Sequence, residues 1–124
     1  MLVTICVNLC RDDTVSIDLS GRTAIVTGSS SGIGKATALA LARAGAAVCV
    51  VADRNVDGGS RTAAEINDAG GRAVFVQADV ACGDGCARIA AQALEGLGPV
   101  DILVNNAGRT VRASLPDLDE ATWD

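Results

Sequence analysis

The octapeptide TGSSSGIG, residues 27–34, combines three serines and three glycines at short spacing. It follows a β-branched apolar run and opens a stretch rich in alanine and leucine, so it lies where a strand is expected to pass into a helix. The first turn of a helix carries unpaired N–H groups and about half a positive charge from the helix dipole, and these can hold a phosphate without a cationic side chain. The motif therefore predicts an anion-binding loop, and a serine-capped glycine turn is the alternative.

Each glycine of this loop has a separate purpose in the phosphate interpretation. Gly28 permits the tight turn out of the strand, Gly32 lets the backbone approach the ligand, and Gly34 lets the helix pack close to the sheet. The three serine hydroxyls, that of Ser29 included, are expected to donate to phosphate or ribose oxygens. The residues expected around the phosphates are Gly28, Ser30, Ser31, Gly32, Ile33 and Gly34.

An acidic and a basic residue follow the next apolar run. Asp53 lies 25 residues after Gly28, where a carboxylate can accept hydrogen bonds from the hydroxyls of an adenosine ribose and would repel a 2′-phosphate. Arg54 would instead attract that phosphate. This pair predicts NAD as the cofactor, with NADP as the alternative. A solvated charge pair at a strand end is the alternative without a ligand.

Two later groups complete the candidate site. Asp79 and Val80 are expected to contact an adenine ring, and the alternative is that Asp79 caps a turn. The sequence NNAG at 105–108 closes the fourth apolar run, and we expect it across the crevice from the glycine loop, where small residues leave room for a ribose. The residues of this motif that we assign to the cofactor site are Asn106, Ala107 and Gly108.

Alternating strands and helices are expected to position these residues. The short apolar runs predict strands at 23–27, 46–52, 73–77 and 100–104, and the longer patterns predict helices at 32–44, 56–69 and 84–97. The second helix has Ala63, Ile66 and Ala69 on its apolar stripe, and a further helix is expected near the end, capped by Asp117 or Asp119. Strand–helix alternation of this kind is typical of right-handed crossovers and a parallel sheet.

Composition excludes several other functions. A net charge of −5 over 124 residues argues against nucleic acid as a partner. The chain has no histidine, so we expect no metal site. The apolar start, residues 1–10, is too short to span a bilayer, and no membrane partner is expected. An odd number of cysteines without a secretory signal predicts inert, reduced thiols and a cytoplasmic location; they are Cys6, Cys10, Cys49, Cys82 and Cys86.

Together these motifs resemble the short-chain dehydrogenase/reductase family. The loop at 27–34 is similar to the family's Gly-x3-Gly-x-Gly motif, Asp79-Val80 to its adenine-contacting pair, and NNAG to the motif that closes its fourth strand. The resemblance covers residues 18–124. It implies an α/β, three-layer fold of Rossmann type with a parallel sheet of strand order 3-2-1-4, interrupted after the fourth strand. We interpret residues 1–18 as an N-terminal extension and residues 19–124 as a partial NAD(P)-binding domain.

The resemblance also implies hydride transfer between a nicotinamide and a carbonyl or alcohol, with the proton handled by a Tyr-x3-Lys motif supported by a Ser and an Asn. This chain has no tyrosine, and its only lysine, Lys35, lies beside the glycine loop. No catalytic residue can be carried over, and we expect the chain alone to be inactive.

Other functions remain as alternatives. The chain could be a non-catalytic dinucleotide-binding module or a fragment completed by a partner. If the sheet stops at its fourth strand, the exposed edge favours self-association. A methyltransferase would share the glycine loop and the acidic residue, but the serine-rich spacing and NNAG disfavour it.

Overall fold

The computed structural model describes residues 16–109, and within them strands and helices alternate. The elements are β1 Thr23–Thr27, α1 Gly32–Arg43, β2 Ala47–Ala52, α2 Val56–Asp68, β3 Ala73–Gln77, α3 Gly83–Leu97 and β4 Ile102–Val104. The expected helix near Pro116, the cysteines at 6 and 10, and residues 1–15 of the expected extension lie outside this range. None of the helices within the described range is long and apolar enough to cross a membrane.

All predicted element boundaries but one are correct to within one residue. The strand predicted at 100–104 begins only at Ile102. Gly98 ends α3 with φ at +98°, and Pro99, which has no N–H to donate, follows directly. The chain is therefore still leaving the helix at Val100, which is 40% exposed.

The four strands form one parallel sheet in the order β3-β2-β1-β4. This confirms the expected order 3-2-1-4 and the Rossmann-type fold. β1 lies inside the sheet, paired on one side with β2 and on the other with β4. β2 and β3 lie on one side of β1, and β4 lies on the other. The strand order therefore reverses at β1, and the carboxyl end of β1 is the topological switch point of the sheet.

Helices cover both faces of the sheet. The central strand β2 is apolar at every position, which suits burial on both sides. Val48 and Val50 pack with residues of α1 and α2, while Cys49 and Val51 pack with residues of α3. Successive side chains of a strand point to opposite faces, so an unbroken apolar run is what a strand between two helical layers requires. The three-layer arrangement follows directly.

The apolar stripe predicted for α2 is wrong at one residue. Ala63 and Ile66 are buried as expected, but Ala69 is exposed. The helix ends at Asp68, and Ala69 is its C-cap, so the chain is already turning away from the sheet there. The buried face extends instead towards the start of the helix, through Gly58, Gly59 and Thr62.

Polar contacts join the beginning of β4 to the beginning of β1. The carboxylate of Asp101 accepts from the backbone N–H of Thr23 at 2.9 Å and from the guanidinium of Arg22 at 3.1 Å. These two hydrogen bonds, that of Thr23 first, lower the pKa of the Asp101 carboxyl. These contacts fix the register of β1 and β4 at the amino-terminal ends of the two strands.

Candidate functional site

The first turn of α1 is open at the carboxyl edge of the sheet. Ser31 precedes the helix in an extended conformation and its side chain forms no cap. Within residues 16–109, the N–H groups of the first three helical residues, 32–34, have no hydrogen-bond acceptor. The other two described helices differ, because Asn55 accepts from Gly58 N at 3.0 Å and the Cys82 thiol accepts from Gly85 N at 3.4 Å.

Two of the loop glycines are required by close contacts. A Cβ on Gly28, where φ is +66°, would lie 2.9 Å from the Cα of Ala107. A Cβ on Gly34 would overlap the carbonyl oxygen of Gly28 and the side-chain amide of Asn106. Gly32 has open space around it, but its φ of +55° disfavours any other residue. The spacing of the motif is therefore set by the turn itself.

The expectation that the Ser29 hydroxyl donates to a cofactor is wrong. Its side chain is fully buried and donates to the carbonyl oxygen of Val26 at 2.7 Å. The same hydroxyl accepts from the N–H of Val51 at 3.0 Å, and the Ser29 N–H donates to the Val51 carbonyl. Ser29 therefore fastens the loop to β2. Ser30 is half-buried and Ser31 is exposed, and neither hydroxyl forms a hydrogen bond within the described residues.

The NNAG segment lies against the glycine loop, as expected. The Asn106 side-chain amide donates to the carbonyl oxygens of Thr27 and Gly28, at 3.0 and 3.2 Å. The Thr27 hydroxyl accepts from the backbone N–H groups of Asn106 and Ala107, each at 3.0 Å. The donors of Asn106 thus hold the two strand ends together, while Ala107 and Gly108 are exposed.

Thr27 is the residue of this site that sequence reasoning missed. A β-branched residue in an apolar run was interpreted only as a strand former, although its hydroxyl also donates to the Val104 carbonyl at 3.3 Å. The available signal was its position directly before Gly28, where a strand ends and its hydroxyl can reach the neighbouring strand.

The acidic residue after β2 is exposed and unpaired. Within the described part of the chain, the Asp53 carboxylate accepts no hydrogen bond and forms no ion pair, with Arg54 or with any other residue. Only the backbone oxygen of Asp53 is used, by the side chain of Gln77 at 3.2 Å. Because the strands are parallel, Asp53 and Gly28 lie at the same edge of the sheet.

Asp79 has the role that the alternative interpretation gave it. One carboxylate oxygen accepts from the N–H of Ala81 at 2.9 Å, which closes a turn after β3. The N-cap of α3 is Cys82 and not Asp79. The second oxygen of Asp79 has no partner within residues 16–109, and Val80 beside it is 37% exposed.

Three further observations concern a lysine, a metal site and a cleft, none of which contributes to the candidate site within the described residues. Lys35 forms an ion pair with Glu65 of α2 at 2.8 Å. No group of three or more His, Cys, Asp or Glu side chains comes together among the described residues. A cleft of about 280 Å³ opens at the opposite edge of the sheet, between Arg22, Gly45 and Arg72, and none of the predicted site residues lines it.

Fold and site together define a class, the parallel α/β proteins that bind a ligand at a topological switch point. Residues 22–124 match the family model described as short chain dehydrogenase. A short chain dehydrogenase/reductase of Aspergillus oryzae is 43% identical over 107 residues, which are 85% of this chain and 41% of the relative. This chain belongs to the short-chain dehydrogenase family, whose members are oxidoreductases that use NAD or NADP.

Solved structures agree with this assignment. A dehydrogenase/reductase from Sinorhizobium meliloti superimposes with a TM-score of 0.81 at 41% identity, over 87% of this chain and 43% of the other. A 7α-hydroxysteroid dehydrogenase complexed with NADH and 7-oxo glycochenodeoxycholic acid gives 0.80 at 38% identity, over 87% and 42%. The chain spans about two fifths of the length of these relatives.

Proposed function

We propose that this chain carries the cofactor-binding half of an NAD-dependent oxidoreductase that transfers hydride between the nicotinamide and a carbonyl or alcohol. The observation that carries the proposal is the open first turn of α1 at the switch point, with three N–H groups lacking an acceptor in the described residues. Backbone N–H groups at a helix start favour a pyrophosphate, which suits an acidic chain with no cationic side chain in the loop.

Each part of a dinucleotide has a proposed set of contacts. The phosphates are assigned to the loop residues Gly28, Ser30, Ser31, Gly32, Ile33 and Gly34, the adenosine ribose to Asp53 and Arg54, the adenine to Asp79 and Val80, and the second ribose to Asn106, Ala107 and Gly108. The bound cofactor supplies a hydride donor or acceptor, and these residues orient it. The open space beside Gly32, where a built Cβ would meet no atom within 4 Å, supports this assignment.

The exposed carboxylate of Asp53 supports NAD over NADP. It lies free at the end of β2 without an ion-pair partner in the described residues, so it can accept from both ribose hydroxyls. A 2′-phosphate would meet its negative charge. Arg54 is exposed beside it and is the residue through which NADP would be accommodated.

We further propose that the chain binds the cofactor without turning over a substrate. It has no tyrosine to handle a proton, and its single lysine is paired with Glu65. We assign residues 19–124 to the partial binding domain and residues 1–18 to an extension. The hydrogen bond from Leu19 N to the Ala44 carbonyl supports this boundary. A cytoplasmic location, in which the described cysteines stay reduced, is part of the same proposal.

Isothermal titration tests the proposal. The purified chain should bind NAD at one site, bind NADP more weakly, and reduce no ketone with NADH. The Asp53→Asn variant should narrow the difference between NAD and NADP, because it removes the charge that a 2′-phosphate would meet. A folded sample that binds neither dinucleotide would refute the proposal.

We also propose that the exposed edge of β4 mediates self-association. Leu103 on this strand is 57% exposed, and β4 has a strand partner on one side only within residues 16–109. Unpaired apolar edges pair readily with further strands. For this chain we propose a second copy as the partner.

A further inference from the structure

The loop at residues 27–34 (the phosphate loop) contacts α2 as well as α1. Its contact with α2 is made at Gly58. Gly58 is the third residue of α2 and is buried. A Cβ built on it would lie 2.7 Å from the carbonyl oxygen of Ser30, closer than real Cβ atoms approach a neighbour. It would also collide with the side chain of Asn55, which caps the same turn. Nothing larger than glycine fits without a shift of the helix, the cap or the loop.

The same arrangement recurs at the start of every described helix. The third residue of each is a buried glycine that touches a backbone carbonyl outside the helix. The pairs are Gly34 with Gly28 O, Gly58 with Ser30 O, and Gly85 with Asp79 O. Two of the three carbonyls belong to the phosphate loop, so α1 and α2 hold the loop at different peptides.

Peptide geometry gives these carbonyl contacts a consequence for the amides. The C=O and the following N–H of a trans peptide point in opposite directions. The first contact obeys this rule, because Gly28 O faces Gly34 while Ser29 N–H donates to Val51 on the far side. By the same rule, the contact between Ser30 O and Gly58 directs the Ser31 N–H away from α2, towards the open side of the loop.

We propose that Gly58 is a positioning residue for phosphate binding. Its missing side chain lets α2 approach the Ser30 carbonyl, and this contact fixes the direction of the Ser31 amide. The inference rests on the proposed dinucleotide function. It adds a residue of the second helix, outside the glycine motif, to those on which affinity depends.

Stability and binding should separate in the Gly58→Ala variant. Alanine is a better helix former than glycine, which offsets part of the strain in α2. The displaced peptide, in contrast, is one that we assign to the ligand. We expect the affinity of the folded protein for NAD and for ADP to fall at least tenfold, with a moderately lower melting temperature.

The neighbouring Gly59 offers a matched control. It is also buried in the first turns of α2, but a Cβ there would meet the ring of Phe75 on β3 and not the loop. Gly59→Ala should lower the melting temperature and leave the affinity of the folded protein for NAD within twofold. In ¹⁵N-resolved NMR spectra without ligand, the Ser31 amide signal should move in Gly58→Ala and stay in place in Gly59→Ala.

The outcomes distinguish this inference from the proposed function. If the original chain binds neither NAD nor ADP, the proposed function itself fails. If it binds both and Gly58→Ala binds them equally well with an unmoved Ser31 signal, only the role of Gly58 is refuted. Should Gly58→Ala not fold, the double variant Gly58→Ala with Asn55→Gly removes the collision with the cap and retains the one with Ser30, so the same comparison applies.

Discussion

Ser29 lies within the glycine loop at residues 27–34, yet its hydroxyl bonds to the sheet. The side chain is fully buried and is the acceptor for the N–H of Val51 in β2. Ser29→Ala would leave that N–H buried without an acceptor, which costs about 1–3 kcal/mol. We expect the free energy of unfolding, measured in urea, to fall by this amount. Ser31→Ala is the control, and its exposed side chain should change stability by less than about 0.5 kcal/mol. Equal effects of the two substitutions would contradict this assignment.

Cys49 on β2 makes the free energy of unfolding depend on pH in the alkaline range. Burial raises the pKa of its thiol from 9.0 to about 11. Since the folded thiol is the weaker acid, the unfolded chain ionises first, and stability is full below pH 9 and lost as the pH rises towards 11. The loss should reach at most about 3 kcal/mol. Urea titrations across this range should show the decline, and a Cys49→Ala variant with the same slope would contradict the prediction.

Residue types alone predicted the loop glycines but not the use of its hydroxyls. Gly28 and Gly34 were recognised because a tight turn and a close helix demand them, and the structure gives each a specific contact. Ser29 and Thr27 could not be assigned in the same way. A serine or threonine donates and accepts equally well towards a ligand or a neighbouring strand, and only the tertiary pairing decides between them.

At the scale of elements, hydrogen bonds to side chains hold β4 to β1 at both ends. The Thr27 hydroxyl accepts two N–H groups from the segment after β4, and Asp101 joins the beginnings of the strands. Because β4 has only three residues, these contacts provide much of what holds it. The strand pair is therefore sensitive to the loss of one hydroxyl.

Thr27→Val tests that dependence with little change in shape. The two N–H groups would lose their acceptor, and we expect unfolding to be easier by about 1–3 kcal/mol. Hydrogen exchange should accelerate selectively at Asn106 and Ala107. Thr37→Val on α1, where the hydroxyl only donates within its own helix, should leave those amides unchanged. Unaltered exchange in Thr27→Val would show that the hydroxyl is dispensable.

Elements were predictable because their signals are local. Apolar runs and closing glycines gave seven elements in the right order, and Gly45, Gly70 and Gly98 all adopt positive φ at helix ends. The late start of β4 and the exposure of Ala69 were missed. Both depend on where the chain leaves a helix relative to the sheet, and periodicity does not encode that position.

At the scale of the molecule, the outer edge of β4 should cause self-association. Leu103 is 57% exposed on this edge strand, so sedimentation velocity should reveal dimers or larger species that grow with concentration. Leu103→Lys should shift the chain towards the monomer, since a charge discourages edge pairing. Leu94→Lys on α3 removes an equally exposed leucine, 58%, away from the edge. If both variants associate like the original chain, the edge is not the interface.

The central place of β1 has a consequence for synthesis on the ribosome. Ala47 of β2, the register partner of Thr23, follows it by 24 positions, but Asp101, whose carboxylate accepts from the Thr23 amide, comes 78 positions later. A nascent polypeptide therefore forms one flank of β1 early and waits for most of its length before the other flank arrives. Since Asn106 comes after even that contact, a dinucleotide in the cell should have no completed crevice to stabilise until nearly all of these residues have been translated.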